Sequence, residues 1–174
     1  MANLIVLAGL PGCGKSSIAR DLAQETRAVW VRVDSIEQAI RDSGVVRASL
    51  DDAGYRAGYA VTEDNLRLGH DVVADSVNPW MLTRNAWRDC GVRAGGRVFE
   101  VEITCSDPTE HRRRVEERLI DVPNLEPLDW VAVVGRDYQA WDRSPLVIDT
   151  YRQSVAECVA IIRNAIYGSR PAPA

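Results

Sequence analysis

Residues 9–17 run Gly9, Leu10, Pro11, Gly12, Cys13, Gly14, Lys15, Ser16, Ser17, and four of them satisfy G-x-x-x-x-G-K-[ST] without a mismatch. The chemistry that needs this spacing is polyphosphate binding. Glycines let the backbone bend close enough for successive amides to face phosphate oxygens. A helix starting directly behind the loop offers its positive end to the same anion. Lys15 is then placed to reach the β- and γ-phosphates of a nucleoside triphosphate, and the Ser16 hydroxyl to ligate Mg2+. Cys13 lies within this loop, where oxidation or alkylation would reach the site.

Two acids close apolar runs. Asp75 ends DVVAD (71–75) and Asp34 ends AVWVRVD (28–34). In a parallel sheet both would project at the carboxyl edge, beside the phosphate loop. Asp75 there suits a carboxylate that holds Mg2+ through its water shell; otherwise it is a cap or turn residue. Asp34 suits a base that accepts the proton of an attacking hydroxyl; otherwise it caps the helix that follows. Asp149, ending LVIDT (146–150), reads equally well as a turn residue.

Farther along, HRRRVEER (111–118) sets Arg114 and Arg118 four residues apart. Arginines arriving from a mobile segment exclude water and neutralise charge on a transferred phosphoryl group. The same run also reads as a solvated helix face, with Glu110 and Arg114 as an i,i+4 ion pair. The acceptor pocket is expected from the stretch before Asp75 and the loop after it, with Tyr55, Tyr59, Asn65, Asn78 and Trp80 as candidates. Arg84, on the next helix, is a candidate for phosphate or acceptor. The aromatics have a plainer reading as core. Trp30 reads as core, and Trp130 and Trp141 either flank the adenine or anchor helices.

Positioning these groups requires strands alternating with helices. NLIVLA (3–8) reads as a strand buried on both faces. Helical spacing follows over 15–24, with Ile18 and Leu22 on one face, and again from Asp34 to a stop at Gly44. Residues 45–53 have no clear period, and a helix spans about 55–69. A helix opens near Asn78–Pro79, a fourth strand covers 98–105, and a charged helix over 107–120 has Asp107 as cap and Pro108 just inside. Residues 127–141 are expected to be helical in part. A fifth strand covers 146–150, and a closing helix over 152–167 aligns Val155, Val159, Ile162 and Ile166. Short apolar strands alternating with helices indicate an α/β fold with a parallel sheet covered on both sides.

The chain has 174 residues, 46% hydrophobic and 26% charged, with a net charge of −4. This is ordinary globular composition, and the acidic balance argues against a nucleic-acid-coating surface. Four scattered cysteines without a C-x-x-C pair speak against structural zinc and a disulfide framework. No apolar run approaches the ~20 residues of a membrane span, and no signal peptide is recognisable; a cytoplasmic location is expected. The guanine-reading N-K-x-D of a regulatory GTPase is absent.

The sequence resembles small P-loop kinases of the nucleoside-monophosphate-kinase-like type, including single-domain small-molecule phosphotransferases. GLPGCGKSS resembles their phosphate loop and that of polynucleotide kinase. VRVDS, ending at Ser35, is similar to the second-strand V-D-S of chloramphenicol phosphotransferases, where the Asp acts as base. VVADSVN (72–78) resembles their acid-ending third strand, and HRRRVEER their arginine-bearing lid. The resemblance implies a P-loop NTPase three-layer α/β/α sandwich with five parallel strands in the order 2-3-1-4-5. It implies one domain over 1–170, a helical lid over about 107–141, and a loose tail at 168–174. The implied activity is transfer of the γ-phosphate of ATP, with Mg2+, to a hydroxyl of a small-molecule acceptor. Lys15, Asp34, Arg114 and Arg118 would be catalytic, in a monomer or homodimer. Two alternatives stand beside it: a module that binds or hydrolyses ATP without an acceptor, and a nucleic-acid-end kinase.

Overall fold

The computed structural model describes residues 1–46 and 49–168. In chain order its elements are β1 (Asn3–Ala8), α1 (Lys15–Thr26), β2 (Val29–Arg32), α2 (Val33–Asp42), α3 (Ala53–Arg67) and β3 (Val72–Asp75). Then come α4 (Met81–Arg93), β4 (Arg97–Thr104), α5 (Pro108–Glu117), α6 (Trp130–Val134), β5 (Leu146–Asp149) and α7 (Val155–Tyr167). The strands form one parallel sheet in the order β2-β3-β1-β4-β5, as the resemblance implies.

β1 is buried at every position, because it runs between β3 and β4 and is covered on both faces. Its side chains divide by parity, as a strand's must. Leu4 and Val6 join Val31, Val72, Ala74 and Trp87 on one face, roofed by α3 and α4. Ile5 and Leu7 join Ile18, Leu22, Ile103 and Ile162 on the other, roofed by α1 and α7. Three layers result, and the carboxyl ends of β1, β2 and β3 lie at one edge of the middle layer.

α7 is stapled at its start by a capping box between Ser154 and Glu157, which satisfies amides the first turn cannot pair internally. Val159, Ile162 and Ile166 form its buried stripe. Asp107 caps α5 as expected, accepting from the Glu110 amide at 2.8 Å with Pro108 just inside.

The differences from expectation lie at element ends. β2 stops at Arg32, so Asp34 sits in the first turn of α2 rather than at a strand end; a carboxylate there is favoured by the helix dipole. α4 opens at Met81 rather than near Pro79, because Asn78 takes a left-handed conformation (φ 52°) that cannot begin a right-handed helix. α5 ends at Glu117, and Arg118 turns extended, so Arg114 and Arg118 do not share a helix face. Of residues 127–141 only Trp130–Val134 is helical. The expected tail lies outside the described residues from 169 onward; Gly168 closes α7. Among the described residues no helix is long and apolar enough to cross a membrane.

Candidate active site

A cleft of about 480 Å³ opens at the carboxyl edge of the sheet, between the phosphate loop, the ends of β2 and β3, and the stretch after α5. The phosphate loop is tied down on its outer side. Lys15 Nζ donates to Leu10 O at 3.0 Å, Thr150 Oγ1 donates to Cys13 O at 2.9 Å, and His111 Nε2 meets Pro11 O at 2.8 Å. The Gly9 amide donates to Val77 O at 3.1 Å. Gly12 has φ +83°, and a Cβ there would meet Val115 Cγ2 at 2.5 Å. The loop can therefore lie this close to α5 only with glycine at that position.

α1 begins at Gly14 without a capping side chain, so the amides of its first turn have no intrahelical partner. Asp75 is 3% exposed, and its Oδ2, like Ser76 Oγ, is buried without a hydrogen-bond partner among the described residues. Burial pushes the Asp75 carboxyl above the usual range, with the Lys15 ammonium and the Ser16 hydroxyl pulling it back. Free first-turn amides, a buried lysine and, beside Ser16, a carboxylate oxygen without a hydrogen-bond partner among the described residues fit nucleotide phosphates with a divalent cation. Burial pushes the Cys13 thiol up as well, and at 1% exposure it lacks the thiolate character and access that the expected oxidation or alkylation needs.

Asp34 lines the same cleft from the first turn of α2. Arg113, Arg114 and Arg118 line it from α5 and its end. Arg114 is anchored, with Nε on Glu110 at 2.7 Å, Nη1 on Thr150 Oγ1 at 2.9 Å and Nη2 on Thr150 O at 3.1 Å. Arg118 Nε is buried without a partner among the described residues. Thus Lys15, Ser16, Ser17, Asp34, Asp75, Arg114 and Arg118 share one cavity, with Pro11, Gly12 and Gly14 of the loop.

The expected acceptor residues fare differently, and none of the five is among the residues that line the cleft. Tyr55 is half-buried and accepts from the Asn78 amide at 3.0 Å. Tyr59 packs edge-on against Trp87, ring centres 4.6 Å apart. Asn78 is fully buried behind the site. Trp80 points outward, its indole donating to Asp137 at 2.9 Å. Asn65 is half-buried, and its Nδ2 donates within its own helix to Val61 O. Arg84 is completely buried, bonded to the carbonyls of Asn78, Pro79 and Ala140. Its guanidinium lies 4.8 Å from the Tyr138 ring centre and 4.1 Å from that of Trp141. It anchors the 138–141 stretch to the loop after β3, since carbonyls and ring faces satisfy a planar cation. Asp149 bonds Ser106 and the Tyr151 amide, as a turn residue does.

Sequence reasoning missed Arg32, Asp121, Thr150 and His111. The last two act on loop carbonyls 137 and 100 residues away, and no local signal marks such contacts. Arg32 reads as an ordinary strand residue until its register with Asp75 is known.

An AAA domain family model matches residues 4–124, more than half of the chain. Comparison with curated proteins gives no match. Among solved structures, the chain is similar to the Mycobacterium tuberculosis APS kinase CysC in complex with AMPPNP and APS (TM-score 0.70, 19% identity, covering 95% of this chain and 97% of that one). It is similar also to Chaetomium thermophilum Kti12 in complex with ADP-AlF3 (0.67, 23%, 95% and 100%). A gluconokinase from Sinorhizobium meliloti 1021 gives 0.60, 17%, 97% and 98%. The chain belongs to this AAA domain family, built on the fold of the small P-loop kinases.

Proposed function

We propose that the protein is an ATP-dependent phosphotransferase that moves the γ-phosphoryl group to a hydroxyl of a small-molecule acceptor. The carrying observation is that Lys15, Ser16, Asp34, Asp75, Arg114 and Arg118 line one cavity although they come from distant parts of the chain. Phosphoryl transfer asks a protein for positioning and charge neutralisation rather than covalent work, and this set supplies both. The loop from Gly9 to Ser17 would hold the phosphates, with Ser16 and, through water, Asp75 holding Mg2+. When bound, Mg2+ supplies neutralisation of charge on the transferring group. Asp34 takes the proton of the acceptor hydroxyl as its oxygen bonds to phosphorus and the bond to the ADP oxygen breaks. Arg118 and Arg114, on a lid running from Asp107 to about Trp141, exclude water and hold the γ-phosphoryl oxygens.

The likeness to an APS kinase holding APS and to a gluconokinase supports a small molecule as acceptor. The testing experiment incubates the protein with γ-labelled ATP, Mg2+ and a panel of sugars, nucleosides, amino alcohols and antibiotics, plus a 5′-hydroxyl oligonucleotide. Label in a small molecule is the expected result. Label released only as inorganic phosphate makes the protein a hydrolase, and label on the oligonucleotide makes it a nucleic-acid-end kinase.

A further inference from the structure

Arg32 ends β2 in register with Asp75 of β3, and it serves two carboxylates at once. Its Nη1 and Nη2 donate to the two oxygens of Asp121 at 2.9 Å each. Its Nε lies 4.0 Å from Asp75 Oδ2, and neither of those two atoms has a hydrogen-bond partner among the described residues. The two ends differ in shelter: the Asp75 side chain is 3% exposed and that of Asp121 60%.

Asp121 belongs to a strap, residues 118–125, that leaves α5 and crosses to the β2–α2 side. Buried Val122 seats it, and Asn124 Nδ2 donates to Asp42 Oδ2 at 3.2 Å. Arg118, at its start, lines the cleft together with Asp121 and Leu125. One guanidinium therefore spans the strap and the carboxylate beside Ser16.

We propose that Arg32 is a positioning residue that couples the strap to the charge state of the Asp75 site. This rests on the reading that nucleotide and Mg2+ fill that site. Without a divalent cation, Lys15 and Arg32 are the cations acting on Asp75, and Arg32 is shared between two carboxylates. A divalent cation beside Asp75 takes over that neutralisation and repels the guanidinium at close range. Arg32 then belongs to Asp121 alone, and the strap is held more firmly over the phosphates. Conversely, removing the charge of Asp121 returns Arg32 to Asp75, where it competes with the cation. Removing Arg32 frees the strap but leaves Asp75 uncontested.

The coupling predicts opposite signs for two variants that both break the latch. Mg2+ affinity is measured by calorimetry on protein saturated with AMPPNP, and strap order by hydrogen exchange of peptides covering 118–125. Asp121→Asn should weaken Mg2+ binding about two- to fivefold, the range of one partly exposed ion pair. Arg32→Met should tighten it by a similar factor. Asn124→Ala loosens the strap without touching Arg32 and should leave Mg2+ affinity unchanged. All three should exchange faster than wild type over 118–125, already without nucleotide. Equal exchange in nucleotide-free wild type and Asp121→Asn overturns the latch even if AMPPNP never binds, so this failure is separable from that of the functional reading. Mg2+ affinities that move in the same direction for Asp121→Asn and Arg32→Met reduce the strap to a structural element.

Discussion

The phosphate loop and the strap face each other across one cleft and are held by opposite means. The loop is sealed into the fold: three of its carbonyls meet Lys15, His111 and Thr150 at 2.8–3.0 Å, and Gly12 admits no side chain against Val115. The strap hangs on the Arg32–Asp121 pair, the Asn124–Asp42 contact and one buried valine. A side chain 60% exposed, like that of Asp121, contributes little to stability and exchanges its partner readily. The donor side is thus preorganised, as electrostatic catalysis requires. The opposite side is weakly held, and a segment that must admit and release ligands has to come from that end of the structure.

The sharpest way to break the comparison is to injure the cleft on and off the fixed side and ask which quantity changes. Asp34→Asn strikes the cleft wall at the start of α2, outside both the loop and the strap, and should lower transfer to an acceptor by about 10²–10⁴-fold, the usual worth of a general base. ATP affinity, measured by calorimetry, should stay near wild type; near-normal turnover with the true acceptor sinks Asp34 as base. Lys15→Ala strikes the fixed side and should cost about 10²–10³-fold in turnover, here with a large loss of ATP affinity. Lys15 is also the only lysine in the chain. An amine-directed label should therefore modify one side chain, and ATP should protect it.

The fixed side was the legible one. Nine consecutive letters specify the loop, since its geometry depends on local glycines and on the helix behind it. Strand order followed from the family resemblance alone, the alternation of elements indicating only a parallel sheet covered on both sides. The strap was not legible, and neither were the loop's ties to His111 and Thr150, because these contacts join residues far apart. Arg32 and Asp121 are 89 positions apart, and nothing near either announces the other. The acceptor candidates near Asp75 lie outside the cleft lining for a different reason: Tyr59 finds Trp87, and Arg84 finds the faces of Tyr138 and Trp141. Residue type alone does not separate packing from binding.

A third variant tests whether the fixed side carries a cost. The Asp75 carboxyl is raised by burial, so burial opposes its charge in the folded protein. A carboxyl raised in the folded state loses stability as pH climbs above its ordinary value of 3.8. At neutral pH, Asp75→Asn should therefore raise the melting temperature, by about 2–4 °C for each kcal/mol relieved in a chain of this size. The same change should weaken the dependence of AMPPNP binding on Mg2+, since Ser16 remains as a ligand. A lower melting temperature would mean that Lys15 and Arg32 need the Asp75 charge more than burial opposes it.

The smallest effect concerns α5, from which the strap departs. Glu110 accepts from Arg113 and Arg114 at 2.7–2.8 Å, and these bonds hold its carboxyl down to about 2 from an ordinary 4.5. A depressed carboxyl gives stability that is fully present above 4.5 and drains away as pH falls toward 2. Melting curves of wild type and Glu110→Gln should therefore lie a constant distance apart above pH 5 and converge between pH 4.5 and 2. Other depressed carboxyls, Asp121 and Asp149 among them, titrate in both proteins, so the difference between the curves isolates Glu110. The amplitude is modest because Arg113 is more than half exposed, but it bears on the cleft through Arg114. If Glu110 also orients Arg114 toward Thr150, the variant should weaken ATP binding at neutral pH, where its carboxylate is fully charged. An unchanged ATP affinity would leave Thr150 alone as the anchor of Arg114, and would place the boundary between the fixed and the weakly held side inside α5 rather than at its end.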